Sequence, residues 1–279
     1  MFYILLSVLC STCILVIFRF GERIGANTRH IILVGYPVAA ISVALIFSVS
    51  PSEVFSRWFI PAALEGIAFY TVFRFMAISA ETSGISITGV ASKMSVVVPV
   101  SLGILVLGET INPLIIGGII CGLLAIWLTV GSRMDVGGWH WPLLVFIGSG
   151  LVDASLKLFQ VFGLTEPEFP AFLSTVFFFA FLFGLLHHLT YKERAINYRS
   201  VLAGIGLGLA NLGSTYFVMV ALAIPALDSV FVYSVNNFGV VILAVLVAVL
   251  IFREHITTKG WLGLLLAVAS IVLLYKGYV

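Results

Sequence analysis

The sequence predicts an all-α integral membrane protein whose ten transmembrane helices form two five-helix repeats of inverted topology. Three observations carry that expectation. Ten apolar stretches of roughly 18 to 25 residues are each long enough to cross a hydrocarbon core about 30 Å thick. The composition is 61% hydrophobic and 9% charged, against about 45–50% and about 25% in ordinary soluble domains. The two halves of the chain also carry a weak self-match.

Apolar runs read against their polar breaks place the spans near 2–19, 30–49, 58–79, 83–107, 112–131, 141–162, 169–190, 200–222, 226–252 and 257–276. The first run lacks the basic leader and small-residue cleavage site of a signal peptide, so it is expected to stay as a helix. Turn and cap chemistry separates most of the others: Gly21 to Thr28, Ser50-Pro51-Ser52-Glu53, Asn112-Pro113, Gly131 to Gly138, Thr165 to Pro170, and Thr257-Thr258. Breaks this short force neighbouring spans to run antiparallel. Trp58, Trp127, Trp139, Trp141 and Trp261 fall near span ends, where an interfacial aromatic belt belongs. Pro37 and Pro99 interrupt the second and fourth spans locally. Closely spaced glycines in the fifth, eighth and tenth spans let helix backbones approach, which serves packing within a monomer or between the copies of a homodimer.

Cys10, Cys13 and Cys121 lie in apolar runs and read as buried thiols rather than a disulfide framework or metal site. A formal charge of +2 with no basic run sets nucleic acid aside. No metal or cofactor motif is present, and the lipid bilayer is the expected environment.

The self-match lies at an offset of 145 residues. Glu109 falls on Glu254, Ile111 on Ile256 and Gly118 on Gly263, with Val90, Val96 and Val100 on Val235, Val241 and Val245. Each copy ends a long apolar helix, places a Glu at the boundary, and opens the next packing face with a Gly nine residues later. The repeats are therefore drawn as 1–135 and 136–279. Five spans per copy is an odd number, so the second copy enters the membrane upside down. Inverted halves of this kind characterise secondary transporters that rock about a midplane site.

Here the chain resembles the drug/metabolite transporter superfamily in its ten-helix, EamA-like branch. The resemblance covers the whole chain. It is carried by the five-plus-five organisation, by Leu107-Gly108-Glu109-Thr110-Ile111 with Gly117-Gly118, by the diverged partner Phe252-Arg253-Glu254-His255-Ile256 with Gly263, and by basic residues late in the first and sixth spans, Arg19 and Lys157. The second copy departs from the pattern at Arg253, where the first has Gly108, and Lys93 is unusual. The resemblance implies export or exchange of a small metabolite, commonly an amino acid, a drug-like cation or a nucleotide-linked compound.

Charges inside a bilayer cost about 2.5–3.5 kcal/mol each on the lenient insertion scale, so they face a cavity or a partner. Here they are Glu65, Arg74, Lys93, Asp153 and Lys157. Lys93 lies deepest, and at the repeat offset Ala91-Ser92-Lys93 falls on Asn236-Asn237-Phe238. This predicts substrate binding with Lys93 attracting an anionic group and Asn236 or Asn237 supplying amide hydrogen bonds. A structural ion pair of Lys93 with Glu65 is the competing reading. Glu65 is the candidate carrier of a coupling proton. Asp153 and Lys157 stand four apart on one helix face and can pair with each other. Tyr70, Tyr216 and Tyr233 are candidate cavity aromatics, with packing as the alternative. Arg74 lies near enough to a span end to reach the interface. Glu109 and Glu254 read as structural carboxylates at the starts of the fifth and tenth spans, and Gly118 and Gly263 as packing residues.

The expected function is secondary transport of a small polar metabolite such as an amino acid, with a proton or counter-substrate as coupling partner. A lipid flippase of the same fold and a non-transporting scaffold or helper subunit are the alternatives. The histidines show no H-E-x-x-H pattern, and no nucleophile elbow or Walker loop occurs, so neither catalysis nor ATP-driven transport is expected. The breaks after spans 1, 5, 7 and 9 hold nine basic residues, Arg19, Arg23, Arg29, Arg133, Lys192, Arg194, Arg199, Arg253 and Lys259, against Arg57 and Lys276 opposite. The positive-inside rule then places the richer side in the cytoplasm and both termini outside a cell (inner) membrane, whereas the resemblance implies cytoplasmic termini.

Overall fold

The computed structural model describes residues 2–107, 112–131, 138–190, 195–222, 224 and 229–278. Among them the long elements are α1 (Phe2–Arg23), α2 (Thr28–Ile46), α4 (Phe59–Thr82), α7 (Pro113–Gly131), α8 (His140–Val161), α9 (Phe169–Leu189), α10 (Tyr198–Leu222), α11 (Ser229–Leu250) and α12 (Thr258–Tyr278). Three shorter α-helices, α3 (Pro51–Val54), α5 (Ile85–Met94) and α6 (Val97–Leu107), and a 3-10 turn at Glu166–Glu168 accompany them. Helices α1, α2, α4, α9, α10 and α12 are long and apolar enough to cross a membrane, and four shorter apolar stretches lie at Ile85–Pro99, Pro113–Thr129, His140–Leu156 and Val235–Leu250. The architecture is that of an all-α, multi-pass membrane protein.

One expected span is two helices. Pro99 has no N–H for the Ser95 carbonyl, and its ring would collide with it in a continuous helix. The chain answers with a break at Ser95–Val96. The Ser95 carbonyl accepts from Val98 N at 2.8 Å instead, and the Ser95 hydroxyl turns back to the Ser92 carbonyl at 2.6 Å. Pro37, by contrast, is carried inside α2 without ending it.

Packing couples the halves throughout. The most extensive contact joins α7 to α12, followed by α2–α10, α1–α10, α4–α9 and α2–α9. Exchanging α1 for α8, α2 for α9, α4 for α10, α5–α6 for α11 and α7 for α12 converts α2–α10 into α9–α4. It likewise converts α1–α10 into α8–α4, and α1–α11 into α8 against α5 and α6, and all of these contacts are present. The α1–α4 contact has no equally extensive counterpart.

The correspondence extends to single residues. A Cβ on Gly118 would lie 2.7 Å from Leu274 Cγ, and one on Gly263 would lie 2.7 Å from Thr129 Cγ2. At the 145-residue offset these two contacts are images of each other. Similarly, Gly66 admits the Val176 carbonyl to 2.5 Å of its would-be Cβ, and Gly208 admits the Gly35 carbonyl still closer. The missing side chains let α4 meet α9, and α10 meet α2, backbone to backbone.

The helix ends sort into two groups. One end of the bundle gathers the α1–α2, α4–α5, α9–α10 and α11–α12 turns: Arg199 donates to Ile24 O at 2.7 Å, Asn197 to Gly25 O at 3.2 Å, and Arg23 to Phe252 O at 3.2 Å. The opposite end joins Arg57 to Gly163 O at 2.7 Å and Asn112 to Gly277 O at 2.6 Å. There Glu168 is held below the usual carboxylate range by bonds from the Thr165 backbone and hydroxyl, helped by the Arg57 guanidinium.

Candidate functional site

The α5–α6 break positions Lys93 and Ser95. Lys93 is the penultimate residue of α5, half-buried, just before the buried Met94 that ends the helix. Helix α8 reaches the break because Gly150 has no side chain: a Cβ there would lie 2.5 Å from Val98 Cγ2 and 3.0 Å from the Ser95 carbonyl. Three residues further along α8, Asp153 Oδ2 accepts from the Ser95 hydroxyl at 3.4 Å. The Lys93 ammonium and the Asp153 carboxylate act on each other electrostatically.

Asp153 opens onto interior space. It stands two residues, and so about 200° around the helix, from Leu151, which is 56% exposed on the outer face. It shares its own face with Phe146 and Ser149, 7% and 8% exposed. On that inward face the Asp153 side chain is nevertheless exposed, so the bundle holds accessible room beside the break.

Glu65 does not join Lys93. It is 4% exposed on α4. One carboxylate oxygen accepts from Ser155 of α8 at 2.7 Å, and the other is buried without a partner. The formal charge acting on it is Asp153. None of Glu65, Lys93 and Asp153 belongs to an ion pair among the described residues. In place of a Glu65–Lys93 pair, Asp153 is the shared neighbour: it acts on Lys93 and on Glu65 and accepts from Ser95, while Glu65 accepts from Ser155.

Helix α11 crosses α5 in antiparallel sense. Ile85 clusters with Ala248 and Phe252, and a Cβ on Gly89 would lie 2.9 Å from Ala244 Cβ. Continuing that register brings the Asn236–Asn237 turn of α11 toward the α5–α6 break. Asn236 is 4% exposed with its carbonyl oxygen unpartnered, and Asn237 is half-buried.

The other candidates lie elsewhere or outside the description. Tyr70 faces α9, its hydroxyl 2.7 Å from His187 Nδ1. Tyr216 lies against Phe47, ring centroids 5.5 Å apart, in a crevice between α2, α9 and α10. Neither gathers at the break. The side chains of Tyr233 and Lys157, and the whole of Glu109, are outside the described residues, so the proposed Asp153–Lys157 pair is not seen. Arg74 lines an open cavity of about 310 Å³ at one end of the bundle with Glu22, Thr28, Arg29 and Glu81.

Glu254 acts as a helix cap, but for a different helix. Instead of serving α12, it reaches into the other half and accepts from Ile85 N at 2.8 Å, from Ser86 N at 3.4 Å and from Ser86 Oγ at 3.0 Å, capping α5. Gly84 precedes at φ +96°, and a Cβ there would meet the Glu254 carboxylate at 2.6 Å. Arg253 holds φ +53°, the left-handed backbone that suits glycine, at the position equivalent to Gly108.

Sequence reasoning missed Ser95, Ser155 and Gly150. Pro99 was the available signal for Ser95, because a proline four residues after a helical carbonyl predicts where the helix must break.

No known family model matches the chain. The chain is 27% identical over 216 residues to an uncharacterized protein of Haemophilus influenzae, covering 75% of this chain and 73% of that protein. A protein of known crystal structure, 14% identical, aligns over 96% of both chains with a TM-score of 0.59. That likeness is one of fold.

Proposed function

We propose that this is a ten-span secondary transporter, two inverted five-helix repeats moving about the α5–α6 break, and that it carries a small polar metabolite. The observation that carries the reading is the Lys93 ammonium and the Asp153 carboxylate acting on each other at a broken helix, neither in an ion pair among the described residues, beside accessible interior space. Broken helices with polar groups are tolerated at membrane depth where they line a cavity. A scaffold gains nothing from the desolvation of such charges. The reciprocal contacts Gly118–Leu274 and Gly263–Thr129, and the exchangeable helix pairs, support the two-repeat arrangement. In this reading Lys93 attracts the anionic group of the substrate, Asp153 and Ser95 orient it, and Asn236 and Asn237 complete the site from the other repeat. Glu65 exchanges the coupling proton.

Purified protein in liposomes tests this. A panel of small polar metabolites is offered under imposed proton, sodium and exchange gradients. At least one is expected to accumulate or exchange. No flux for any class under every gradient would contradict the proposal, and flux confined to lipid analogues would favour the flippase.

A further inference from the structure

We propose that Glu254 is the latch that closes one end of the transport pathway. The inference rests on the transporter reading above. Its basis is a bond set that crosses between the repeats at the mouth of the two helices carrying the polar site. Glu254 follows α11 and is fixed by its own N–H to Ala248 O at 2.9 Å. From there its carboxylate takes three donors from the first turn of α5. A carboxylate on free helix N–H groups makes charge-assisted bonds and also meets the positive end of the helix dipole.

The surroundings are shaped for this contact. Gly84 leaves no Cβ where the carboxylate sits. Phe252, 6% exposed, is pinned by Arg23 of α1, which donates to its carbonyl at 3.2 Å and lies 4.7 Å over its ring. The left-handed turn at Arg253 aims the next residue away from α11 and toward α5. Lys93 stands two turns below on α5, and Asn236 lies farther along α11. Separating α5 from α11 at this end would expose the site from this side of the membrane, and the Glu254 bonds must break for that to happen. Released, the α5 N–H groups can be satisfied by water entering the mouth.

The test uses the full chain with Cys10, Cys13 and Cys121 replaced and nitroxide labels placed on cysteines at Thr82 and Thr258, both exposed and just outside the capped turn. Dipolar broadening between the labels reads the separation of the two repeats without substrate, so it does not depend on finding flux. With Glu254 intact the closed, broadened population should dominate. Glu254→Ala should shift the closed-to-open ratio by roughly tenfold toward open, with Glu254→Gln and Ser86→Ala shifting it less. In liposomes, labelling of a cysteine at Ser92 from this side should rise in parallel. Unchanged broadening in Glu254→Ala, or in Glu254→Gln if the alanine variant does not fold, would overturn the latch. Absence of flux in a protein whose broadening still follows Glu254 would count against the transporter reading, not the latch.

Discussion

The Ser155 hydroxyl donates to one oxygen of Glu65 at 2.7 Å across the α4–α8 interface, while the other oxygen is buried with nothing to accept from. A carboxylate so placed is costly when charged, and taking up a proton removes that cost. A group of this kind can carry a proton if the helices around it move.

Glu65→Gln keeps the shape and removes the exchangeable charge. The variant should retain substrate exchange while its uptake no longer responds to an imposed pH gradient. Flux assays at matched insertion check this, and pH-driven uptake equal to that of the unmodified protein would sink the role assigned to Glu65.

The turn after α11 offers a stability test. Arg253 sits at φ +53°, where a residue with a Cβ loses about 1–2 kcal/mol relative to glycine. Arg253→Gly should therefore melt at an equal or higher temperature in detergent, and Arg253→Val at a lower one. Gly84→Ala, at φ +96° and against the Glu254 carboxylate, should be the most damaging of the three.

Close helix approach predicts an ordering among glycines. Gly66→Ala forces a methyl to 2.5 Å from the Val176 carbonyl, where backbone cannot step aside, whereas Gly117→Ala meets Leu273 Cδ1 at an ordinary 3.6 Å. The first should lose about 1–3 kcal/mol by overpacking and the second little. Thermal stability of the two variants decides it.

Much of this architecture was legible in the chain. Apolar length alone places helices such as α7 and α9 within a residue or two of their observed bounds, because in hydrocarbon every backbone group must be satisfied within its own helix. The Gly118 and Gly263 match was readable as well, since a close approach admits only small residues. The partners of the buried charges were not. Which helix Glu65 faces depends on how α4 and α8 rotate against each other, set by Gly148 against Val72 and Gly150 against Val98, and single glycines on an apolar helix leave no periodic signal. Glu254 shows the same limit: its place at a helix boundary marks it as a cap, but the capped helix lies 169 residues away in the chain.

The charge bias predicts an orientation. The end holding Arg23, Arg199 and Arg253 is expected in the cytoplasm, with both termini outside. A cysteine at Ile196 reads this, being 41% exposed and beside Asn197, whose side chain is needed to cap α10. In intact cells with native cysteines replaced, a membrane-impermeant thiol reagent should leave it unlabelled, and labelling would reverse the assignment.

The central claim, that the α5–α6 break is the substrate site, is tested most directly by comparing exchange in liposomes for the unmodified protein, Lys93→Ala, Asp153→Asn and Arg74→Ala at equal insertion. Lys93→Ala and Asp153→Asn should each lower exchange by tenfold or more through substrate affinity, since each removes a charge-assisted contact worth roughly 1.5–3 kcal/mol, while Arg74→Ala retains most of it. Equal losses in all three, or full exchange without Lys93, would contradict the account.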